Sequence, residues 1–249
     1  MLRLIPQAEF SNFKVPPKEV WRYLGYLDPS RVRQDIQKIF QQVMEMGPPL
    51  LEPTACYDIF PIKKVTSSSV EAVGVSFDSR DLALRQRGAK ELAAFIVTAG
   101  PRLEQEAEKL IQGRNSALGY ILDVFASAAV DILAYKVREL IQDHALSKGY
   151  QAITHGICIG KKCPVYRDCG GVLVYWWSPG YGDWNVLENK KLFSIVDGNQ
   201  VGVCVRESGM MTPRKSYTCV LPIGPQGEKS PKKCVEWKRE WIQRGLKAR

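Results

Sequence analysis

The chain has 249 residues, enough for one large domain or two small ones, and 45% of them are hydrophobic with proline and glycine scattered through the sequence, which excludes a disordered chain. Thirty-five lysines and arginines against 26 aspartates and glutamates give a net charge of +9, gathered in the C-terminal stretch KSPKKCVEWKREWIQRGLKAR. No uninterrupted apolar run approaches the roughly 20 residues of a spanning helix, and Pro6 and Glu9 break MLRLIPQAEF as a signal segment, so a cytoplasmic protein without a membrane partner is expected.

Residues 1–17 read as an extended, proline-punctuated lead-in, followed by a short helix in KEVWRYLGY that Gly25 ends. A longer helix is predicted over DPSRVRQDIQKIFQQVMEMG. There Val32, Ile36, Ile39, Val43 and Met46 recur at helical spacing between an Asp28-Pro29 start and a Gly47 stop. PPLLEPTACYDIFPIKKV holds too much proline for a helix, and the alternation of Ala55, Tyr57 and Ile59 predicts a strand, continued as strand and turn through SSSVEAVGVSF. Ser79 caps a short helix running to Gly88, and the apolar run 92–99 predicts a strand buried on both faces.

PRLEQEAEKLIQG is helical with Pro101 in its first turn. The longest helix follows over about 116–144, where Leu118, Leu122, Phe125, Ala129, Ile132, Val137, Leu140 and Ile141 form one stripe. From Gly149 the texture changes to glycine, cysteine, tryptophan and short apolar runs. NKKLFSIVDG predicts a short helix stopped by Gly198, and NQVGVCVRES and KSYTCVLPIG predict strands. The succession implies an α+β fold, with helices packed on a twisted, mainly antiparallel sheet and no regular βαβ order. The main body spans 18–224, with a possible subdomain boundary near 145–156. Residues 225–249 read as a basic helix or tail with Val235, Trp237 and Trp241 facing inward.

Two histidines, His144 and His155, are too few for a Ser-His-Asp triad or a histidine-rich metal site. The nucleophile-elbow, phosphate-loop and dinucleotide-binding glycine patterns are absent, which disfavours ordinary hydrolase and dehydrogenase chemistry. With no zinc-finger or helix-turn-helix signature, nucleic acid stays a minor option despite the basic tail. Seven cysteines are an odd count that argues against a disulfide scaffold. Cys158, Cys163 and Cys169 lie five and six residues apart, with Cys234 downstream, and match neither zinc-ribbon nor ferredoxin spacing. Small buried thiols, a metal or iron–sulfur site, and a redox pair stay open for them.

VYWWSPGYGDW holds three of the six tryptophans. Pro179-Gly180 forms a turn in which glycine lets backbone approach a ligand closely. Trp176, Trp177, Tyr181 and Trp184 either offer flat faces to an adenine ring or a sulfonium cation, or close a core over the turn. Downstream, RESGMMTPRKS joins Glu207 and Ser208 to two methionines and the basic pair Arg214-Lys215.

Together, SPGYGDWNVLENKKLFSIVD and VGVCVRESGMMTPRKSYT resemble the activation (reactivation) domain of cobalamin-dependent methionine synthase, and in particular its short, free-standing members. The matching pattern is Pro179-Gly180-Tyr181, the helix from Leu192 to Asp197, and Glu207-Ser208 with Met211, Pro213 and Ser216. EVWRYLGY, YDIFPI, SFDSRDLA, FIVTAGPRLE and LDVFASAAVDILAYKV extend it over most of 18–224. The resemblance implies an α+β fold and binding of S-adenosylmethionine. It also implies a role in reductive methylation of cobalamin on a separate methionine synthase, with a flavodoxin-like electron donor.

By the same resemblance, Trp176, Ser178, Gly180, Tyr181 and Glu207 are the ligand-binding positions, and no catalytic acid or base is needed. Two departures stand out. Trp176 occupies the place of an arginine that pairs with the ligand carboxylate, and Gly170 the place of a glutamate. Arg167 and Arg206 are candidate replacements for that arginine. The alternative reading is a module that docks on a corrinoid protein without the ligand, or a metal or redox partner using Cys158, Cys163, Cys169 and Cys234.

Overall fold

The structure is a computed structural model that describes residues 2–26, 28–86, 88–152 and 177–224. Trp176, the cysteines at 158, 163, 169 and 234, Arg167, His155 and the basic tail lie outside the described residues. In chain order the first elements are β1 (Arg3–Ile5), α1 (Pro17–Tyr23), α2 (Gln34–Met46), β2 (Thr54–Val65), β3 (Ser69–Ala72), β4 (Val75–Asp78) and α3 (Arg80–Arg85). There follow β5 (Glu91–Thr98), α4 (Arg102–Gln112), α5 (Ser116–Ser147), β6 (Gln151–Ala152), α6 (Asn189–Ile195), β7 (Cys204–Val205), β8 (Met211–Thr212) and β9 (Ser216–Gly224). This is the α+β class, with an antiparallel sheet bordered by helices.

Two compact units are interleaved along the chain. The first takes Met1–Asp58, Ala94–Leu140 and Val186–Cys219; the second takes Ile59–Ala93, Ile141–Asn185 and Val220–Arg249. Strands β2, β5 and β9 each begin in one unit and end in the other.

In the first unit β1 lies antiparallel to the start of β2, with Arg3 opposite Tyr57 and Ile5 opposite Ala55. The peptide N–H of Glu52 donates to Ala99 (3.0 Å), and that of Ala99 to Lys215 (2.9 Å), so β2, β5 and β9 stand side by side in that order. Leu122, Phe125, Ala126, Ala129, Leu133 and Val137 of α5 are buried, as are Val20 and Trp21 of α1, Phe40 and Val43 of α2, and Leu103 and Ala107 of α4. Each large apolar side chain removed from water contributes about 1.5–3 kcal/mol. Trp21 stacks on Phe40 with ring centroids 3.8 Å apart and planes 11° off parallel.

Two sequence expectations shift here. The Asp28-Pro29 start belongs to a separate 3-10 turn, Pro29–Arg31, whose Ser30 N–H donates to the Asp28 carboxylate (3.1 Å). Val32 is then extended and α2 begins at Gln34, whose helix reaches back through the Gln37 amide to the Pro29 and Val32 carbonyls (3.2 and 2.7 Å). The Asp28 carboxylate thus caps a turn, not the helix. The second shift concerns α5. Its most apolar 18-residue window has a mean hydropathy of 1.7, which is long and apolar enough to cross a bilayer by length and composition. Uninterrupted apolar runs missed this because alanines, serines and single charges punctuate the helix. Most of that window, 61%, is buried inside the protein, so core packing accounts for its apolarity.

In the second unit the strand order is β4-β3-β2-β5-β9-β6, all antiparallel, with a bulge in β2 between Ile62 and Lys64. The Ile62 N–H donates to Lys90 (2.9 Å) and the Lys90 N–H to Ile223 (2.8 Å), which fixes β5 between β2 and β9. Ala72 pairs with Val75 across a two-residue hairpin loop, in which Val73 (φ +52°) and Gly74 (φ +74°) are both left-handed. That is the geometry of a type I′ turn, which favours Asn-Gly. A β-branched residue at the first position is strained by about 1–2 kcal/mol, and Val73 recovers little through packing because 54% of it is exposed. Val73→Asn is therefore expected to raise the unfolding free energy by about 1 kcal/mol, read as a higher midpoint in urea denaturation at an unchanged slope.

Candidate functional site

The segment SPGYGDW in the second unit owes its shape to three local rules. Trp177 exchanges both backbone hydrogen bonds with Val220 of β9 (3.0 and 2.9 Å), which starts the segment from a fixed point on the sheet. The Tyr181 N–H then donates to the Ser178 carbonyl (3.2 Å), with Pro179 and left-handed Gly180 (φ +93°) at the two central positions, the pattern of a type II turn. The Gly180 N–H donates to Trp184 (2.7 Å) and the Trp184 N–H to Tyr181 (3.0 Å), closing the loop on itself. Ser178 and Pro179 are buried, whereas Gly180, Tyr181 and Gly182 face solvent.

A single carboxylate joins this loop to α3. Ser79 caps the helix in the ordinary way, its hydroxyl oxygen accepting from the Leu82 N–H (2.9 Å). Asp183 accepts from the Ser79 hydroxyl (2.5 Å) and from the N–H groups of Arg80 (2.8 Å) and Asp81 (3.2 Å). It thus occupies the positive end of the helix, where unpaired N–H groups collect. Burial alone would push the Asp183 carboxyl up, but the bonds from Ser79, Arg80 and Asp81 outweigh it and hold the group below the ordinary 3.8. Gly182 is wedged at this junction: with φ +57°, a Cβ there would stand 2.2 Å from Asp81 Oδ2 and 2.8 Å from the Trp177 ring.

The aromatic residues of the segment divide. Trp184 is buried and meets Phe77 edge-on, with centroids 6.0 Å apart and planes at 85°, so it belongs to the core. Trp177 is also buried, 5.8 Å from Tyr181 and tilted by 49°. Tyr181 is half exposed and is the aromatic that faces solvent. The structure also adds a residue that sequence reasoning passed over. Arg85, the last residue of α3 and buried, lays its guanidinium over the Trp177 ring, 3.7 Å from the centroid. The Ser79 cap fixes the helical register and so puts Asp81 and Arg85, four residues apart, on one face.

Glu207 sits in the first unit, exposed at the tip of the β7–β8 hairpin. The hairpin closes through the Arg206 N–H to Met210 (2.8 Å) and the Gly209 N–H to Arg206 (2.9 Å). It is docked by buried Asn189, whose amide donates to the Gly209 carbonyl (2.8 Å) and accepts from the Thr218 hydroxyl. Left-handed Gly209 lies so close to Val186 that a Cβ would stand 2.5 Å from its carbonyl oxygen.

The basic side chains nearby are engaged within the unit. Arg206 Nε donates to Thr212 (2.7 Å), Arg214 bonds Glu108 (2.6 Å), and Lys215 bonds Asp123 and Ser127 (both 2.8 Å). Arg214 and Lys215 therefore tie the start of β9 to α4 and α5. Cys56 and Cys219 are buried and Cys204 exposed; burial pushes the Cys56 thiol up to about 12, which leaves it unreactive at neutral pH. Among the described residues no group of three or more His, Cys, Asp or Glu side chains is placed to hold a metal ion.

The fold has a counterpart among solved structures. The MetH reactivation domain, solved bound to AdoHcy, superposes with a TM-score of 0.61 over 96% of this chain and 86% of its own, at 13% identity. At that identity the likeness is one of fold. No protein-family model matches the chain, and no curated protein sequence does.

Two substitutions test the loop–helix junction. Gly182→Ala is expected to lower the unfolding free energy by at least about 2 kcal/mol, from left-handed strain and the clash with Asp81. Asp183→Ala removes a cap and should lose about 1–2 kcal/mol at neutral pH. Because the folded-state value lies below the ordinary 3.8, the Asp183 contribution is complete above that pH. It is lost as pH falls through the folded value, so the two proteins should converge in acid unfolding titrations.

Proposed function

We propose that this chain binds S-adenosylmethionine at the Ser178–Tyr181 turn and supports reductive methylation of cobalamin carried by a separate, cytoplasmic methionine synthase. The observation that carries the reading is the turn itself: a glycine-opened, solvent-facing loop locked to the start of α3 by Asp183, in a fold shared with a reactivation domain bound to AdoHcy. Backbone atoms of Ser178 and Gly180 would line the ligand, and the half-exposed Tyr181 ring would lie against its adenine or sulfonium portion.

The chemistry asks for positioning and no acid or base. One electron from a flavodoxin-like donor reduces the partner's cobalt(II) to cobalt(I). The methyl group then leaves sulfur for cobalt: the S–C bond breaks with its electron pair staying on sulfur, a Co–C bond forms, and S-adenosylhomocysteine is released. The reduction is unfavourable by itself, and the irreversible methyl transfer drains its product. The protein's contribution is to hold the sulfonium methyl in line with the metal carried by its partner.

Isothermal titration is expected to give S-adenosylmethionine binding that Tyr181→Ala weakens about tenfold, ~1.4 kcal/mol. A methionine synthase lacking its own activation domain, poised as cobalt(II) with a reductant, should return to the methylated visible spectrum only when this protein and S-adenosylmethionine are both added. Absence of binding with and without the partner overturns the reading.

A further inference from the structure

We propose that a groove in the first unit, between the N-terminal lead-in and α5, binds a free α-amino acid with a large apolar side chain, held as its zwitterion. The groove belongs to a different unit from the Ser178–Tyr181 turn, and the inference does not rest on what that turn binds. It encloses about 270 Å³, just below the roughly 300–1,000 Å³ of drug-sized sites, so its ligand is small. One wall is the stretch 9–14, pegged by the buried side chains of Phe10 and Val15, where the Phe13 N–H donates to the Phe10 carbonyl (2.9 Å). The other is α5, on which Ile132, Tyr135, Lys136 and Glu139 recur at three and four residues and so share one stripe.

The lining divides by chemistry. Phe10 is buried, Phe13 and Ile132 are half-buried, and the Tyr135 ring is 40% exposed. Three of these four side chains are aromatic, which suits a flat ring or the polarisable sulfur of methionine.

The polar part is exposed and carries both signs, Glu9 and Glu139 against Lys14 and Lys136. Lys136 and Glu139 pair with each other (3.4 Å). Glu9 and Lys14 are left over, with no ion pair or side-chain hydrogen bond among the described residues. A ligand of a single sign would meet a like charge on the same groove, which weakens binding. A zwitterion meets its complement twice, its carboxylate at Lys14 and its ammonium at Glu9, and leaves the groove neutral. The Asn12 amide, which both donates and accepts, serves either group. A free apolar amino acid combines both charges with a side chain for the aromatic wall, in a molecule of the right size.

The test is isothermal titration of the full chain with L-methionine, with the amine that methionine yields on decarboxylation, and with the acid that lacks its amino group. Methionine is expected to bind at one site, and each analogue at least about tenfold more weakly. Lys14→Gln should weaken methionine about tenfold and leave the amine unchanged, whereas Glu9→Gln should weaken methionine and leave the acid unchanged. Tyr181→Ala, in the second unit, should leave methionine binding as it is. The inference is overturned if methionine does not bind, if the analogues bind as tightly as methionine, or if neither lead-in variant weakens it. Loss of methionine binding in Tyr181→Ala would place the amino acid at the turn and overturn it too. S-adenosylmethionine binding at the turn is read in its own titration, so the two readings fail independently.

Discussion

The carboxylate of Asp183 sets the geometry on which the rest of the site depends. Three donors at the beginning of α3 converge on it. Because those donors include backbone N–H groups of the first helical turn, the bond fixes the axis of the helix as well as one side chain. The glycine beside it is then forced into a space too small for a Cβ. Trp177 is held by Arg85 over its indole and by its backbone hydrogen bonds to Val220 on the sheet. Arg85, buried at the end of that helix, lays its guanidinium over the same indole.

Much of the fold could be read from the sequence where one physical signal dominated. The eight-residue strand β5 is buried almost throughout, and an apolar run too short for a long helix says the same. Gly47 marked the C-terminal end of α2, and Pro179-Gly180 the turn in the loop at 177–184. The signal weakened where two local structures compete for the same residues. Asp28 followed by proline is a fair helix start, but equally a fair turn, and only the extended backbone at Val32 decides between them. Val73 went unremarked because nothing in its side chain announces a left-handed backbone.

The site was legible in its backbone and much less so in its side chains. The Pro179-Gly180 pair suggests a tight turn, and that is what forms, whereas nothing in the sequence marks Asp183 as a cap on the distant helix α3. The division of the aromatics needed three dimensions: Trp177, Tyr181 and Trp184 look alike as flat hydrophobic faces, yet one stacks under a cation, one meets solvent and one fills the core beside Phe77. Arg85 stands more than 90 residues before the indole it covers, and spacing rules do not bridge such a distance. Arg206, a candidate from the sequence to replace the missing arginine, is instead bonded to Thr212 across its own hairpin.

The course of the chain through its two units has a consequence for how the molecule can be taken apart. Each unit is assembled from three separate stretches, and β2, β5 and β9 cross from one to the other in mid-strand. No single scission yields either unit whole. Contacts within each therefore join residues far apart in sequence, and such topologies tend to fold slowly, since long loops must close before the pairing rewards them. Breaking any of the three shared strands disturbs the hydrogen-bond ladders of both units, which favours their melting in concert.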